Sequence, residues 1–276
     1  MPELPEVETT CRGIAPYLDQ QSLTQVKVRQ AKLRYPVPVE LLNSLKGQPL
    51  LSLERRAKYL LFKFSTVTLI VHLGMSGSLR LVDPTNDWRK HDHWQLDFGQ
   101  LSLRYHDPRR FGFLIATSNS NDHPLLCKLG PEPLTEAFSL AYFRSQCSRR
   151  KTPIKASLMN NALVVGIGNI YACESLFLAG IHPLTPCHQL SLDDTRRLHE
   201  QIQRTLTRAI EQGGSTLRDF VNPNGQPGYF AQTLSVYGRA GEACTQCHTP
   251  IETLRLAGRS SYFCPHCQPM NSETSV

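Results

Sequence analysis

The runs KYLLFKF (58–64), VTLIVHL (67–73), GSLRLV (77–82), HWQLDF (93–98), LSLRYHD (101–107) and FGFLIA (111–116) decide the fold class. Each is short, rich in Leu, Ile, Val or aromatic residues, and bounded by Gly, Pro, Asp or Ser. With LTQVKVRQAKL (23–33) before them, they predict a β-sandwich or barrel between about residues 20 and 133. Upstream, Val7, Cys11, Ile14 and Leu18 recur at helical intervals. Pro5 suits a first helical position, and Glu6 and Glu8 suit the positive end of the dipole, so an N-terminal helix packs on the sheet.

Past LGPEPL (129–134) the period becomes helical. TEAFSLAYFRSQCSRR (135–150), IKASLMNN (154–161) and NIYACESLFLAG (169–180) read as three helices, the last stopping at Gly180. The longest, 191–212, has Leu192, Leu198, Ile202, Leu206 and Ile210 in one stripe, with Ser191 as its cap. GGSTLRDFVNPNGQPGYF (213–230) reads as a loop of the kind that covers a site, and PMNSETSV as a loose tail. The chain is thus α+β and multidomain: 1–133 sandwich with N-terminal helix, 134–222 helical, 223–235 connection, 236–270 finger, 271–276 tail.

Two cysteine pairs define that finger: Cys244 and Cys247, then Cys264 and Cys267. Each two-residue gap turns both sulfurs toward one ion. Four thiolates satisfy tetrahedral Zn²⁺ and leave no position for a catalytic water, so the zinc is structural. A segment this small has no adequate core without it. The other five of nine cysteines, Cys11, Cys127, Cys147, Cys173 and Cys187, read as small buried hydrophobes in a reducing, cytoplasmic compartment. The apolar stretch 59–73 is broken by Lys63, Ser65, Thr66, Thr68 and His72, which excludes a membrane span, and MPELPEVETT is no secretory leader.

Lys plus Arg number 30 against 23 Asp plus Glu, a formal charge of +7 over 276 residues, which allows a polyanionic partner without choosing one. The chemistry-bearing candidates are individually ambiguous. Removal of Met1 would expose Pro2 as a secondary amine. An α-amine has an intrinsic pKa near 7.7–8, low enough to be nucleophilic at neutral pH, and it would form a Schiff base with a sugar C1′. Glu3 beside it is placed to protonate an opening sugar. Pro and Glu are equally good helix starters. Lys58 stands at a strand entry, where lysine ordinarily carries its charge to water. Arg109 and Phe111 in the DPRRF turn, and Met75 in HLGMSGSL, suit filling of a space left by an extruded base, or a core. VVGIGNIYA has Tyr171 at the third glycine position and no strand–helix–strand unit, so it is no dinucleotide fingerprint. Its Gly-x-Gly-Asn turn, with Asn169, presents N–H groups to a phosphate. Arg255 and Arg259 fall between the cysteine pairs, at or near the tip of a hairpin.

MPELPEVETT, RRAKYLLF, HLGMSGSLR, KHDH, DPRRFG, LGPEPL, VVGIGNIYACESLFLAGIHP, PGYFAQ and the four-cysteine finger, in that order over residues 1 to about 268, resemble the bacterial formamidopyrimidine-DNA glycosylases. The resemblance implies a two-layered β-sandwich, a helix-two-turn-helix domain and a zinc finger, with DNA between. It implies a monomeric repair enzyme on the nucleoid that excises oxidised purines from damaged double-stranded DNA and then cuts the strand. Pro2 would be the nucleophile, Glu3 the proton donor, Lys58 the β-elimination lysine and Arg259 the δ-elimination and phosphate-binding arginine. His91, Arg109, Arg150 and Asn169 match DNA-contacting positions, as do His72 and Tyr237, and Met75, Arg109 and Phe111 match the gap-filling trio. The rivals are an endonuclease VIII-like enzyme for oxidised pyrimidines and a non-catalytic zinc-dependent DNA binder. Leu4, the intact trio and the long 213–230 run favour the purine branch.

Overall fold

In the computed structural model, residues 1–214 and 234–270 are described. Helix α1 spans Leu4–Leu18, and its start explains its sequence. Pro occupies the first turn, where no amide partner is lost, and Glu6 accepts from the Glu3 backbone N–H at 2.7 Å while the Glu3 carboxylate accepts from the Glu6 amide. Val7, Cys11, Ile14 and Leu18 form its buried stripe, as the spacing predicts.

Eight strands then build two antiparallel four-stranded sheets. One has the order β1–β6–β7–β5, from Gln25–Val28, Asp92–Phe98, Leu101–His106 and Ser78–Val82. The other has the order β2–β3–β4–β8, from Ser52–Arg56, Tyr59–Lys63, Thr68–His72 and Phe113–Thr117. One core joins both sheets to α1: Leu60, Phe62, Leu69 and Val71 from one sheet, and Leu79, Trp94, Leu96 and Leu103 from the other. The sandwich expectation holds.

Two elements here were not legible in the sequence. Strand β2 (SLERR) buries only Leu53 because it is an edge strand whose Arg55 pairs with Glu8 of α1, and its apolar signal is one residue deep. Helix α2, Val39–Ser44, is a short turn of VELLNS that buries Leu42. Conversely, the predicted strand at 23–33 pairs only over Gln25–Val28.

A second compact unit starts at Leu129; Ile210 and the residues just after it group with the sandwich instead. Helix α3 runs over Leu140–Ser148, five residues inside the predicted start, because Ser139 caps it by accepting from the Tyr142 amide and the residues before it form turns. Helix α4 is Ile154–Leu158, and α5, Asn169–Ala179, ends at Gly180 in the left-handed region, as expected. Helix α6, Leu192–Glu211, is capped by Ser191, whose hydroxyl accepts from the Asp194 amide. Hairpin β9–β10, Glu252–Leu256 with Arg259–Phe263, completes the finger, which shares a core with α5 through Cys173, Phe177, Val236, Cys244 and Ile251.

The predicted site-covering loop at 213–230 lies outside the described residues from 215 on, as does the tail from 271. Of the five non-finger cysteines, four are buried; Cys127 is exposed, a correction to its reading as a core residue, because it sits in the polar turns after β8. No helix among the described residues is long and apolar enough to cross a membrane.

Candidate functional site

In the sandwich unit, the helix start packs acidic groups against the chain's amino end. Pro2 is buried, Glu3 is 2% exposed and Glu6 is fully buried. Burial pulls the Met1 α-amine below its ordinary value of 8.0, against the opposing field of Glu3 and Glu6; Lys58 and Arg109 add to the lowering. The structure therefore brings the amino terminus, Glu3, Glu6, Lys58 and Arg109 into one electrostatic neighbourhood. Lys58 stands at the entry of β3, as expected, in the two-residue turn between β2 and β3, beside Ala57 in the left-handed region at φ 54°. Gly214 also belongs to this neighbourhood: a Cβ there would meet the Glu6 side chain at 3.3 Å.

His72 ends β4 and stacks on Phe113 at 5.3 Å. Burial, helped by Lys58 and Arg34, pushes it down to about 4, so the ring is neutral at physiological pH. Its Nδ1 accepts from the Gly74 amide at 3.0 Å, which leaves the ring proton on Nε2 as a fixed donor. Met75 and Phe111 are 40% and 46% exposed, unlike core residues, and the Arg109 guanidinium lies 5.0 Å from the centre of the Phe111 ring. His91 sits before β6 at φ 72°, edge-on to His106 at 6.0 Å.

In the second unit, Asn169 opens α5, at the positive end of that helix's dipole. Its side chain is already held: Oδ1 accepts from Lys155 Nζ at 2.6 Å, and Nδ2 donates to the Ser260 carbonyl of β10 at 2.9 Å. Arg150 follows α3 and donates to the Gln146 carbonyl and side chain. Arg259 begins β10 and pairs in register with Leu256 across the Ala257–Gly258 turn, so it stands at the hairpin tip; Arg255 is one pair further down. Tyr237 packs edge-on to Tyr262 at 5.1 Å.

Sequence reasoning missed three buried polar residues that organise these groups. Lys155, 1% exposed, ties Asn169 to Ser261. Glu174, 2% exposed, accepts from the amides of Ser235, Val236 and Tyr237 and so anchors the entry to the finger. Asp107 is fully buried under the DPRRF turn. The one available signal was a lone charge inside an apolar stretch, as in NIYACESLFLA.

The four finger thiols fit a zinc ion. All four sulfurs lie within 4.8 Å of one another, and two pairs stand at 3.4 and 3.9 Å. A tetrahedron with Zn–S bonds of about 2.3 Å needs sulfurs roughly 3.8 Å apart. The Gln246 and Cys267 amides point at the Cys244 and Cys264 sulfurs at 3.4 Å, as amides do where a thiolate is bound.

Three family models match in chain order: formamidopyrimidine-DNA glycosylase N-terminal domain over residues 1–114, its H2TH domain over 129–221, and the zinc finger found in FPG and IleRS over 241–269. The formamidopyrimidine-DNA glycosylase of Methylococcus capsulatus is 53% identical over 97% of this chain and 100% of its own length. That of Marinobacter nauticus is 51% identical over the same shares. Among solved structures, the Lactococcus lactis enzyme in complex with a Fapy-dG-containing DNA superposes with a TM-score of 0.89 at 35% identity, covering 97% of this chain and 100% of that one. The MutM (Fpg) protein from Thermus thermophilus superposes at 0.87 with 40% identity, covering 97% and 98%. A sandwich led by an N-terminal helix, followed by H2TH helices and a four-thiolate finger, defines a DNA glycosylase of base excision repair. The chain belongs to the formamidopyrimidine-DNA glycosylase family.

Proposed function

We propose that this chain removes oxidised purines, 8-oxoguanine and formamidopyrimidines, from duplex DNA and then cuts the strand by β,δ-elimination, with the Pro2 amine as nucleophile. The observation that carries this reading is Pro2 itself, buried beside the buried carboxyls of Glu3 and Glu6 in a setting where burial and Lys58 lower the α-amine of the preceding Met1. Removal of Met1 makes Pro2 the first residue. Its nitrogen lone pair attacks the sugar C1′, and the base leaves with the electron pair of the C1′–N bond and takes up the proton that the attacking amine loses. Glu3 protonates the ring oxygen as the C1′–O4′ bond breaks and the nitrogen lone pair forms the iminium. The iminium acidifies the neighbouring sugar carbon and permits β-elimination, assigned to Lys58, and then δ-elimination, assigned to Arg259.

His91, Arg109, Arg150 and Asn169 are assigned to DNA contact, and His72 and Tyr237 to further phosphate contacts. A fixed Nε2–H on a neutral His72 suits a phosphate oxygen, and the exposure of Met75 and Phe111 suits entry into the stack. Bound zinc holds the hairpin that carries Arg259 and takes no part in the chemistry. The proposed domain limits are 1–133, 134–222 and 236–270.

Borohydride trapping tests the reading. The full-length protein, shown by mass analysis to begin at Pro2, is expected to give a covalent adduct on duplex containing 8-oxoguanine opposite cytosine, and far less on thymine glycol. Pro2→Gly should lose most excision but keep damaged-DNA affinity. A protein that binds and never traps, or that retains Met1, would sink the nucleophile assignment; a preference for thymine glycol would overturn the substrate.

Affinity for undamaged duplex should fall with salt at a log–log slope of about −0.9 per phosphate neutralised. A flat salt response would show that the basic residues named above do not touch backbone.

A further inference from the structure

The two exposed apolar side chains assigned to the gap sit on different loops, Met75 between β4 and β5 and Phe111 between β7 and β8. The structure fuses these loops around the buried Asp107. Its Oδ1 accepts from the Ser76 hydroxyl at 2.7 Å and the Arg109 amide at 3.2 Å. Its Oδ2 accepts from the Gly112 amide at 2.9 Å and the Tyr105 hydroxyl at 3.0 Å. Three of these donors belong to β7 and the Phe111 loop; the fourth, Ser76, is 3% exposed and follows Met75 directly. Burial beside Asp107 pushes the Tyr105 hydroxyl well above its ordinary range, so it remains a donor.

Glycines make the contact close. A Cβ on Gly74 would stand 2.3 Å from the Gly112 nitrogen, and one on Gly112 would stand 1.8 Å from the Tyr105 hydroxyl. A Cβ on Gly77 would meet the same hydroxyl at 2.6 Å. The two loops therefore touch backbone to backbone, with the Asp107 carboxylate as their shared acceptor.

A buried carboxylate is costly unless its lone pairs are filled, and as a mere stabiliser it could be replaced by an apolar residue. What an apolar residue cannot supply is directional linkage of two loops. Extruding a nucleotide costs a few kcal/mol, and side chains already fixed in position lose less entropy on entering the stack than side chains on independent loops. We propose that Ser76 and Asp107 are positioning residues for base extrusion, coupling the Met75 loop to the Arg109–Phe111 loop so that the three side chains enter DNA as one rigid wedge. The proposal rests on the gap-filling assignment of Met75, Arg109 and Phe111.

The test uses zinc-loaded, full-length protein in single-turnover assays on two duplexes, one with 8-oxoguanine paired to cytosine and one with a preformed abasic site. A 2-aminopurine next to the lesion reports extrusion by fluorescence. Ser76→Ala is expected to slow excision of the paired lesion about tenfold, as loss of a hydrogen bond to a charged group allows. It should cut the abasic duplex within about twofold of the unmodified protein, since no base pair must be broken there. Ser76→Thr should restore the paired rate and the fluorescence change. Met75→Ala should be slow on the paired lesion, and adding Ser76→Ala to it should cost little more, because both act through one wedge. Equal loss on both duplexes, or independent additive losses, would overturn the coupling. A Met75→Ala variant as fast as the unmodified protein would instead remove the gap-filling assignment beneath it. Asp107→Asn, which turns an amide N–H₂ toward these donors, should reproduce Ser76→Ala with a larger loss.

Discussion

Glu3→Gln is expected to lower excision of 8-oxoguanine by about 10²–10⁴-fold, the range that removal of a positioned general acid commands. The substitution is informative because it preserves the helix start. Glutamine retains a side-chain carbonyl that can accept from the Glu6 amide, and the Glu3 backbone N–H still donates to Glu6 Oε2. What disappears is the transferable proton. On a preformed abasic site the base has already gone and an aldehyde is available, so Pro2 should still form a borohydride-trappable adduct there. Loss of excision with retained trapping on abasic DNA is the expected signature. Equal loss of both would mean that Glu3 shapes the site, and unchanged excision would remove it as the proton donor.

Cys244→Ser is expected to unfold the finger and leave the sandwich standing. Zinc supplies about 10–16 kcal/mol of apparent folding free energy in isolated zinc-finger peptides, more than a small cluster of apolar side chains provides. Cys244 is 1% exposed and lies in the core shared with α5, so the change strikes both the metal and the packing. The expected readings are no bound zinc, rapid amide exchange across 244–268, and duplex affinity down by at least about tenfold as the β9–β10 turn ceases to present Arg259. Amides of the β3–β4 ladder should stay protected, because the sandwich core cluster is drawn from residues 7–114 and includes none of the finger. Normal affinity in a zinc-free protein would show that the finger is dispensable for binding.

The strands were legible because each carries several apolar residues between turn signals, and α5 and α6 because a cap and a stop bracket an apolar pattern. The edge strand β2 was not, since one buried leucine among charged residues leaves no period to read. Helix α3 is shorter than its composition suggests, because that composition continues past the serine that caps it. In the candidate site, the finger ligands follow from spacing: two short turns confine four sulfurs whatever surrounds them. Pro2 and Glu3 were legible both as helix starters and as an amine with its proton donor, and only the family resemblance chose between the two.

What the sequence by itself determined is therefore local: most strands between residues 20 and 133, the α1 start with its acidic first turn, the four thiolates, and Met75, Arg109 and Phe111 as candidates for either gap or core. Tertiary structure alone decided which distant residues meet. It lowered the Met1 amine by burial against the opposing field of Glu3 and Glu6, placed Lys155 against Asn169 and Ser261, and set Ser76 on Asp107 across 31 positions of chain. The physical reason is that burial and hydrogen-bond partnership belong to pairs of residues far apart in sequence. A single chain position announces its residue type, whereas its charge state and its partner are set only when the chain closes around it.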